Sequence, residues 1–478
     1  KYGKYKSDFY ERLAYDEILS TFLVHSEIRK KIKKIKKEKK KFDIVHQNSI
    51  ISNLQFQLTK DQKKSLNEIN EDIKSNQKMF RLLQGDVGSG KTIVALISAN
   101  NVIKSGFQVA VMAPTEILAK QHFNLAKKIY DKKIRIDILT SKSEYKDKKI
   151  IEKKIANNQI DIIFGTHSIF QKKIIFKKLG LIIIDEQHKF GVNQRKKLSD
   201  KGGINCDVLL MSATPIPRTL TMTIYGDMDL SIIKEKPKKR KEIKTYSKLE
   251  NNIEDVLKFI KNEIDHGNQI FWVCPLIEVS KKIDHSSAIK KYEYLKKIFP
   301  NKVALLHGKT DSNSKELILN KFLKQEIKVL VSTTIIEVGI DFPNANVIVI
   351  ENANKFGLSQ LHQLRGRVGR GEKQSTCILM FKSSLSENAK KRINILKSST
   401  DGFKISEEDM KLRGFGDILG FKQSGLKIFR LADPIQNNDL FTIAEEKIKE
   451  IEKNNDNIDK YKTLMKLYDQ ADILNDIV

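Results

Sequence analysis

A chain of 478 residues, at about 150 residues per domain, predicts roughly three domains with cores large enough to need no disulfide or metal staples, which excludes a peptide or mini-scaffold. The apolar fraction is 40%, and no run approaches the roughly 18–20 consecutive apolar residues of a bilayer-spanning helix, which excludes a helical membrane protein. Lys and Arg number 88 against 59 Asp and Glu; the +29 balance points to a polyanion partner, nucleic acid first, with a Lys-, Ile- and Asn-rich codon usage as the alternative source of part of the excess.

The chain opens at Lys1 without methionine and without the charged stretch and apolar core of a secretory signal, so it reads as a fragment or a processed product. From Arg12 to Phe42 the spacing is helical. Leu13, Ile18, Phe22 and Leu23 can share a face, and nine of the twelve residues from Lys30 to Lys41 are lysine. A long basic helix is expected, its lysines forming a solvated face, a contact to a DNA backbone or a linker. Phe42 to Gln55 is polar and aperiodic and marks a boundary.

Beyond it, short Ile- and Val-rich runs alternate with helical stretches: Phe80 to Gln84, Gln108 to Ala113, Ile134 to Leu139, Asp161 to Phe164, Leu181 to Ile184 and Val208 to Met211. A charged interval, Lys234 to Lys244, interrupts. The alternation resumes at Ile270 to Val273, Val303 to Leu306, Lys328 to Val331, Val347 to Ile350 and Cys377 to Phe381. This is the signature of two parallel sheets in tandem, covered by helices on both faces. Glu387 to Leu396 and Ser406 to Leu412 read as helices around a turn near Ser398 to Gly402, and Thr442 to Asp476 as charged helix. Cys206, Cys274 and Cys377 are odd in number and far apart, which fits neither a disulfide framework nor a metal site and suggests a reducing interior.

Gly85-Asp86-Val87-Gly88-Ser89-Gly90-Lys91-Thr92 fits GxxxxGK[ST], between an apolar strand and a helical stretch. The glycines Gly85, Gly88 and Gly90 let backbone N–H groups close around a phosphate at a helix N-terminus, Lys91 neutralises charge on the β- and γ-phosphates, and the Thr92 hydroxyl can ligate Mg²⁺. Further on, the apolar run Leu181 to Ile184 delivers Asp185 and Glu186 at a strand tip, where α/β sheets bind ligands. Asp185 would hold Mg²⁺ through water, and Glu186 would orient the attacking water and accept its proton. ATP and Mg²⁺ are therefore the expected cofactors.

Phe56 to Gln62, the Asp185-Glu186-Gln187-His188 box, Ser212-Ala213-Thr214 and Gln360 to Gly371 together resemble the ordered motifs of superfamily 2 helicases. More narrowly, Ile184 to Arg195 (IDEQHKFGVNQR), Met211 to Leu220 (MSATPIPRTL), Trp272 to Glu278 (WVCPLIE) and Lys411 to Gly425 resemble the RecG family of bacterial branched-DNA helicases, from about Glu11 to the end of the chain. The resemblance implies that Gln62 reads the adenine edge beside a stacking Phe56. It implies that Gln363, Arg367 and Arg370, in the pattern QxxGRxxR, serve catalysis, with the two arginines as fingers reaching the γ-phosphate from the second unit. A guanidinium arriving as charge develops would make hydrolysis depend on closure of the two units.

By the same resemblance Ser212 and Thr214 link nucleotide state to DNA, Gly339 and Asp341 face the nucleotide, and Thr115, Thr140, Thr166 and Thr333 contact DNA phosphates. Small hydroxyls hold phosphates in register without reading bases, so sequence-independent binding is expected. Ser141-Lys142 stands where the family has Gly-Ser. Asp401 to Gly425 resembles the family's translocation motif, a helical hairpin and loop that turn motor closure into movement on duplex DNA. Arg392, Arg413 and Gln423 occupy its polar positions, and Lys411 stands where Arg is commoner, which keeps charge but loses the bidentate fork.

The expected architecture is α/β: two tandem RecA-like parallel-sheet domains with an N-terminal basic helix and a C-terminal helical translocation module. The divisions are a basic helical linker over 1–55, RecA-like helicase domains over 56–235 and 236–383, and the translocation hairpin with C-terminal helices over 384–478. The resemblance implies an ATP-dependent double-stranded DNA translocase and helicase that remodels branched DNA, stalled forks and Holliday junctions, in recombination and repair. It further implies a monomer in the bacterial cytoplasm, associated with the nucleoid, with single-strand-binding protein as a partner and no membrane. The family's oligonucleotide-binding wedge domain is expected to be absent, because the residues before the phosphate-loop unit show almost no strand alternation. Alternatives are a transcription-repair coupling translocase module, an RNA helicase, and a nucleotide-switched DNA clamp that does not unwind.

Overall fold

The apolar runs have no polar face, so they can be satisfied only as strands covered on both sides. In the computed structural model, which describes residues 8–140, 145–185, 202–237, 240–275, 281–308, 310–333, 342–369, 371, 373–382, 384–413, 429–454 and 458–468, they form two parallel sheets. The first contains β1 (Phe80–Gly85), β2 (Gln108–Met112), β3 (Ile136–Leu139), β4 (Ile162–Gly165), β5 (Leu179–Ile184), β6 (Asp207–Ser212) and β7 (Asp229–Ile233), in the order β3-β4-β2-β5-β6-β1-β7. The second contains β8 (Lys244–Leu249), β9 (Gln269–Val273), β10 (Val303–Leu306), β11 (Val329–Ser332), β12 (Ala345–Ile350) and β13 (Thr376–Phe381), in the order β10-β11-β9-β12-β13-β8. β7 and β8 were not among the expected strands. Both are edge strands, only partly buried, so neither carries the continuous apolar run of an interior strand.

Side chains alternate between the two faces of each sheet. Val109, Val111, Leu181, Ile183, Leu209 and Met211 enter one core of the first unit, while Ala110, Met112, Ile182, Ile184, Val208 and Leu210 enter the other. The second unit splits in the same way, with Phe271, Leu330 and Ile348 on one face and Trp272, Val331 and Val349 on the other. At about 1.5–3 kcal/mol per fully buried aliphatic or aromatic side chain, these four layers dominate stability.

Among the described residues the helices are α1 (Asp8–Lys34), α2 (Ile44–Ser52), α3 (Lys60–Lys74), α4 (Lys91–Lys104), α5 (Glu116–Ile129), α6 (Tyr145–Ala156), α7 (Arg218–Ile224), α8 (Ile253–Asp265), α9 (Lys281–Ile298), α10 (Ser312–Leu323), α11 (Leu358–Arg365), α12 (Glu387–Ser398), α13 (Gly402–Arg413), α14 (Asn438–Lys453) and α15 (Lys462–Leu467). No helix among the described residues is long and apolar enough to cross a membrane.

The N-terminal region departs from expectation. α1 stops at Lys34, and Lys36 then bridges Gln77 in antiparallel fashion. Lys37 and Lys40, expected on a helix face, are fully buried and both pair with Asp207, at 2.6 and 2.7 Å. Asp207 Oδ1 also accepts from the Met79 N–H at 2.8 Å. A buried carboxylate at the start of β6 needs partners, and that need outweighs helix propensity in the lysine run. The aperiodic stretch after Phe42 holds α2, whose N-cap Asp43 accepts from the His46 N–H. α2 is anchored by polar contacts that an apolar-periodicity reading overlooks: Gln47 Oε1 accepts from both Asn70 and Asn101.

α1 also belongs to a third core. Ile18, Phe22, Leu23 and Ile28 pack with Phe441, Ala444 and Ile448 of α14 and Met465 of α15. Ser26 Oγ donates to Glu452 at 2.6 Å, and Arg29 pairs with the same carboxylate at 2.7 Å. The buried Glu17 carboxylate accepts the backbone N–H groups of Arg430, Leu431 and Ala432 at 2.6, 2.9 and 2.8 Å.

Candidate nucleotide and nucleic-acid site

β1 runs into the phosphate loop, and the loop into α4. Gly88 and Gly90 have φ of +75° and +87°, a left-handed geometry that a side chain would strain. Lys91 is buried, and its Nζ donates back to the carbonyls of Gly85 and Asp86 at 2.8 and 2.9 Å. Thr92 lies in the first turn of α4.

Gln62 braces this loop from α3. It forms a capping box with Thr59, and its Nε2 donates to the Ser89 carbonyl at 2.7 Å. Both ends of the amide are thus engaged with the protein, and the Phe56 ring is 40% exposed. Asp185, at the tip of β5, lies 2.8 Å from His122 Nε2 of α5. His122 was not singled out from sequence, because a lone histidine on a helix carries no spacing signal. β6 lies between β1 and β5, so its final residue Ser212 stands between the phosphate loop and Asp185. Ser212 Oγ and Thr214 Oγ1 are 3.1 Å apart.

The other half of the same sheet carries the remaining hydroxyls. β3, β4 and β2 are neighbours, and Thr140, Thr166 and Thr115 follow their C-terminal ends in that order. Thr140 is buried, Thr166 Oγ1 lies 3.4 Å from Ser168 Oγ, and Thr115 caps α5 by accepting from the Leu118 N–H. Thr333 follows β11 in the second sheet, where its hydroxyl and that of Ser332 are buried with no hydrogen-bond partner among the described residues.

The second unit meets the phosphate loop through α11 and the turn after it. His362 Nε2 lies 2.8 Å from Asp86 Oδ1, and His362 Nδ1 lies 2.9 Å from an Arg365 Nη. Arg365 then donates to the carbonyls of Leu396 and Ser399, at the end of α12. Burial alone would push the Asp86 carboxyl up. The contact with His362, the Lys236 charge 3.5 Å away and the Val87 N–H prevail and hold it well below the usual carboxylate range. Gly366 packs on Val87, where an added Cβ would lie 3.1 Å from the valine Cβ. A Cβ on Gly402 would fall within 2.9 Å of Pro215, His362 and Asp86, so the start of α13 needs a glycine at this junction.

Gln363 is partly exposed on α11, and Arg367 is buried in the turn beyond it. The hairpin expected to serve translocation consists of α12 and α13. Arg392 donates to the carbonyls of Phe356 and Asn354, at 2.6 and 3.2 Å. Arg413 pairs with Asp409 at 3.0 Å, and Asp409 accepts from Ser359 Oγ at 2.6 Å, in the first turn of α11. The surface Lys411 pairs with Glu408. Glu186, Gly339, Asp341, Arg370, Gln423 and the Ser141-Lys142 departure lie outside the described residues.

Three family descriptions match in succession: DEAD/DEAH box helicase over residues 59–223, helicase conserved C-terminal domain over 251–372, and ATP-dependent DNA helicase RecG, domain 3, C-terminal, over 399–473. The ATP-dependent DNA helicase RecG of Aquifex aeolicus is 46% identical over 467 residues, covering 96% of this chain and 59% of that protein. Its namesake in Bacillus subtilis is 48% identical over 388 residues, covering 80% and 57%. A solved RecG bound to a three-way DNA junction superposes with a TM-score of 0.75 at 41% identity, covering 90% of this chain and 57% of that one. The chain thus spans under two thirds of the length of these relatives.

Proposed function

We propose, from the premise that the chain belongs to the RecG family of ATP-dependent DNA helicases, that it hydrolyses ATP to drive movement along double-stranded DNA and so remodels branched DNA such as stalled forks and Holliday junctions. The observation that carries this reading is the seating of the α11 turn on the phosphate loop, through Asp86 and His362 and through Gly366 and Val87. An arginine-bearing turn pressed on a phosphate loop makes hydrolysis conditional on the approach of two rigid bodies, which is what a motor requires.

The residues fit a magnesium-nucleotide. Magnesium is usually held by one or two protein oxygens together with phosphate and water, and it supplies neutralisation of phosphoryl charge when bound. Thr92 and Asp185 would provide those oxygens, with Asp185 oriented by His122. Lys91 would leave the Gly85 and Asp86 carbonyls for the phosphates, Glu186 would take the proton of the attacking water, and Arg367 with Arg370 would meet the developing charge. Gln363 would order that turn, and Phe56 would receive the base together with Gln62, whose amide would exchange its bonds to the Thr59 N–H and the Ser89 carbonyl for the base. Gly339 and Asp341 would complete the nucleotide side.

The sheet order supports simultaneous binding of both ligands, with the nucleotide at the tips of β5, β6 and β1 and nucleic acid along those of β3, β4 and β2. Thr115, Thr140, Thr166 and Thr333 would hold phosphates without reading bases. Ser212 and Thr214 would sense the nucleotide from between the two halves, while Arg392, Arg413 and Gln423 would pass closure to the hairpin. Since the relatives are bacterial, the reading extends to the bacterial cytoplasm, and it includes a monomer that meets single-strand-binding protein on DNA as a further part of the proposal. The test is ATPase rate with no DNA, single-stranded DNA, linear duplex and a synthetic fork. Strong stimulation by duplex or fork is expected, and a rate indifferent to every DNA overturns the reading.

A further inference from the structure

The segment joining the two sheets places Arg240 across the cleft. Its Nε donates to the Gly369 carbonyl at 2.7 Å, and its Nη1 donates to the Val87 carbonyl, also at 2.7 Å. Val87 belongs to the phosphate loop. Gly369 closes the turn that carries Arg367 and immediately precedes Arg370. One planar group therefore spans the two parts whose separation sets where an arginine finger can reach.

The surroundings are shaped to this guanidinium. A Cβ on Gly88 would lie 2.2 Å from Arg240 Nη1, so the left-handed glycine of the loop also makes room for the arginine. Gly369 is left-handed as well, with φ of +74°. On the neighbouring loop residue, Asp86 meets His362 from the same helix and turn. Adjacent residues 86 and 87 thus hold the second unit at two points, one of them through the inter-sheet segment itself.

We propose that Arg240 is a positioning residue of the nucleotide site, which fixes the distance between the phosphate loop and the arginine-bearing turn and ties that distance to the segment that joins the sheets. The inference rests on the ATPase reading above. A guanidinium presents its donors in a rigid plane and can hold two carbonyls at once, whereas a lysine ammonium is a point charge that cannot keep both in the same geometry. The role therefore demands arginine rather than positive charge. Catalytic groups must be held to within about 0.5 Å, so loosening this bridge acts on turnover more than on binding.

The test uses the full chain with saturating forked DNA and compares the parent with Arg240→Lys, Arg240→Gln and Lys91→Ala, measuring kcat, KM for ATP, affinity for a fluorescent ADP analogue, and melting temperature. Both Arg240 variants are expected to lose kcat on the order of tenfold, with KM and ADP affinity within about threefold of the parent. Full kcat in Arg240→Lys overturns the proposal, because charge alone then suffices. Unchanged kcat per folded molecule with a lowered melting temperature also overturns it, since the bridge is then only structural. A parent that hydrolyses no ATP, or one whose rate Lys91→Ala leaves untouched, instead removes the ATPase reading on which the inference stands.

Discussion

Asp86 and His362 are 276 residues apart in sequence and 2.8 Å apart in space. A carboxylate of the phosphate loop is thereby held by the helix of the second unit, and each unit orders the other. His362→Ala removes that partner and leaves Asp86 to Lys236 and the Val87 N–H. A loss of about 1–3 kcal/mol in stability and a fall in kcat are expected, read by thermal melting and steady-state ATPase. Because the Asp86 pKa is depressed, the carboxylate's contribution is present above its unfolded pKa and is lost only as pH falls through the still lower folded value. Between about pH 6 and 9, where unperturbed carboxylates are already ionised, Asp86 should contribute no pH dependence.

Lys91→Ala should abolish nucleotide binding, because the amine that neutralises phosphate charge is gone. Glu186→Gln should keep binding and lose turnover by roughly 100-fold or more, the usual range for a general base. Equilibrium binding of a fluorescent nucleotide with parallel ATPase assays distinguishes the two, and parental turnover in either variant would remove its residue from the site.

Arg413→Ala breaks the ion pair with Asp409, whose other oxygen holds Ser359 on α11. DNA-stimulated ATPase should stay within about threefold of the parent, an effect of under 1 kcal/mol on the barrier, while movement along duplex stops. Triplex displacement reads movement independently of hydrolysis. Loss of both activities would place Arg413 in the hydrolytic machinery.

His25 projects from α1 onto α7, with Nδ1 donating to the Met222 carbonyl at 3.1 Å. Burial, with help from the Arg29 charge, pushes its pKa down from 6.5 to about 4. The folded chain therefore binds this proton less tightly than the unfolded chain. Stability should be complete above pH 6.5 and decline by at most about 2–3 kcal/mol as pH falls toward 4. Melting temperatures across that range, with His25→Asn as the control that flattens this part of the profile, provide the measurement.

Asp207→Asn leaves Lys37 and Lys40 buried without their shared counter-charge. Removing one partner of a buried pair typically costs about 3–5 kcal/mol, so urea unfolding should shift strongly. DNA affinity of the remaining folded fraction should keep its salt dependence, since neither lysine reaches solvent to release counterions from phosphate. A reduced salt slope would show that these lysines contact DNA.

The interior of both sheets was legible because a strand covered on two sides is apolar along nearly its whole length, as β5 is and as β12 is apart from the hydrogen-bonded Asn346. Edge strands carry no such demand: β3 and β10 still show short apolar runs, whereas β7 and β8 mix polar with apolar residues and escaped for that reason. The phosphate loop and Asp185 were legible because their chemistry depends on local spacing. His122, His362, Arg240 and Glu17 were not, because each acts through a partner that only the tertiary fold brings near. The lysine run misled for a related reason: the carboxylate that draws Lys37 and Lys40 inward lies 170 and 167 positions away.

The core shared by α1 and α14 also bears on synthesis. Ser26 waits for Glu452, 426 residues downstream, and among the described residues the apolar face of α1 has only Met222 of α7 against it until α14 and α15 are made. At roughly 5–20 residues per second on the ribosome, Ile18, Phe22 and Leu23 stay unmatched for on the order of tens of seconds, while both sheets can already form. Helix α1 therefore completes its docking only after both sheets have been made, although it precedes them in the chain.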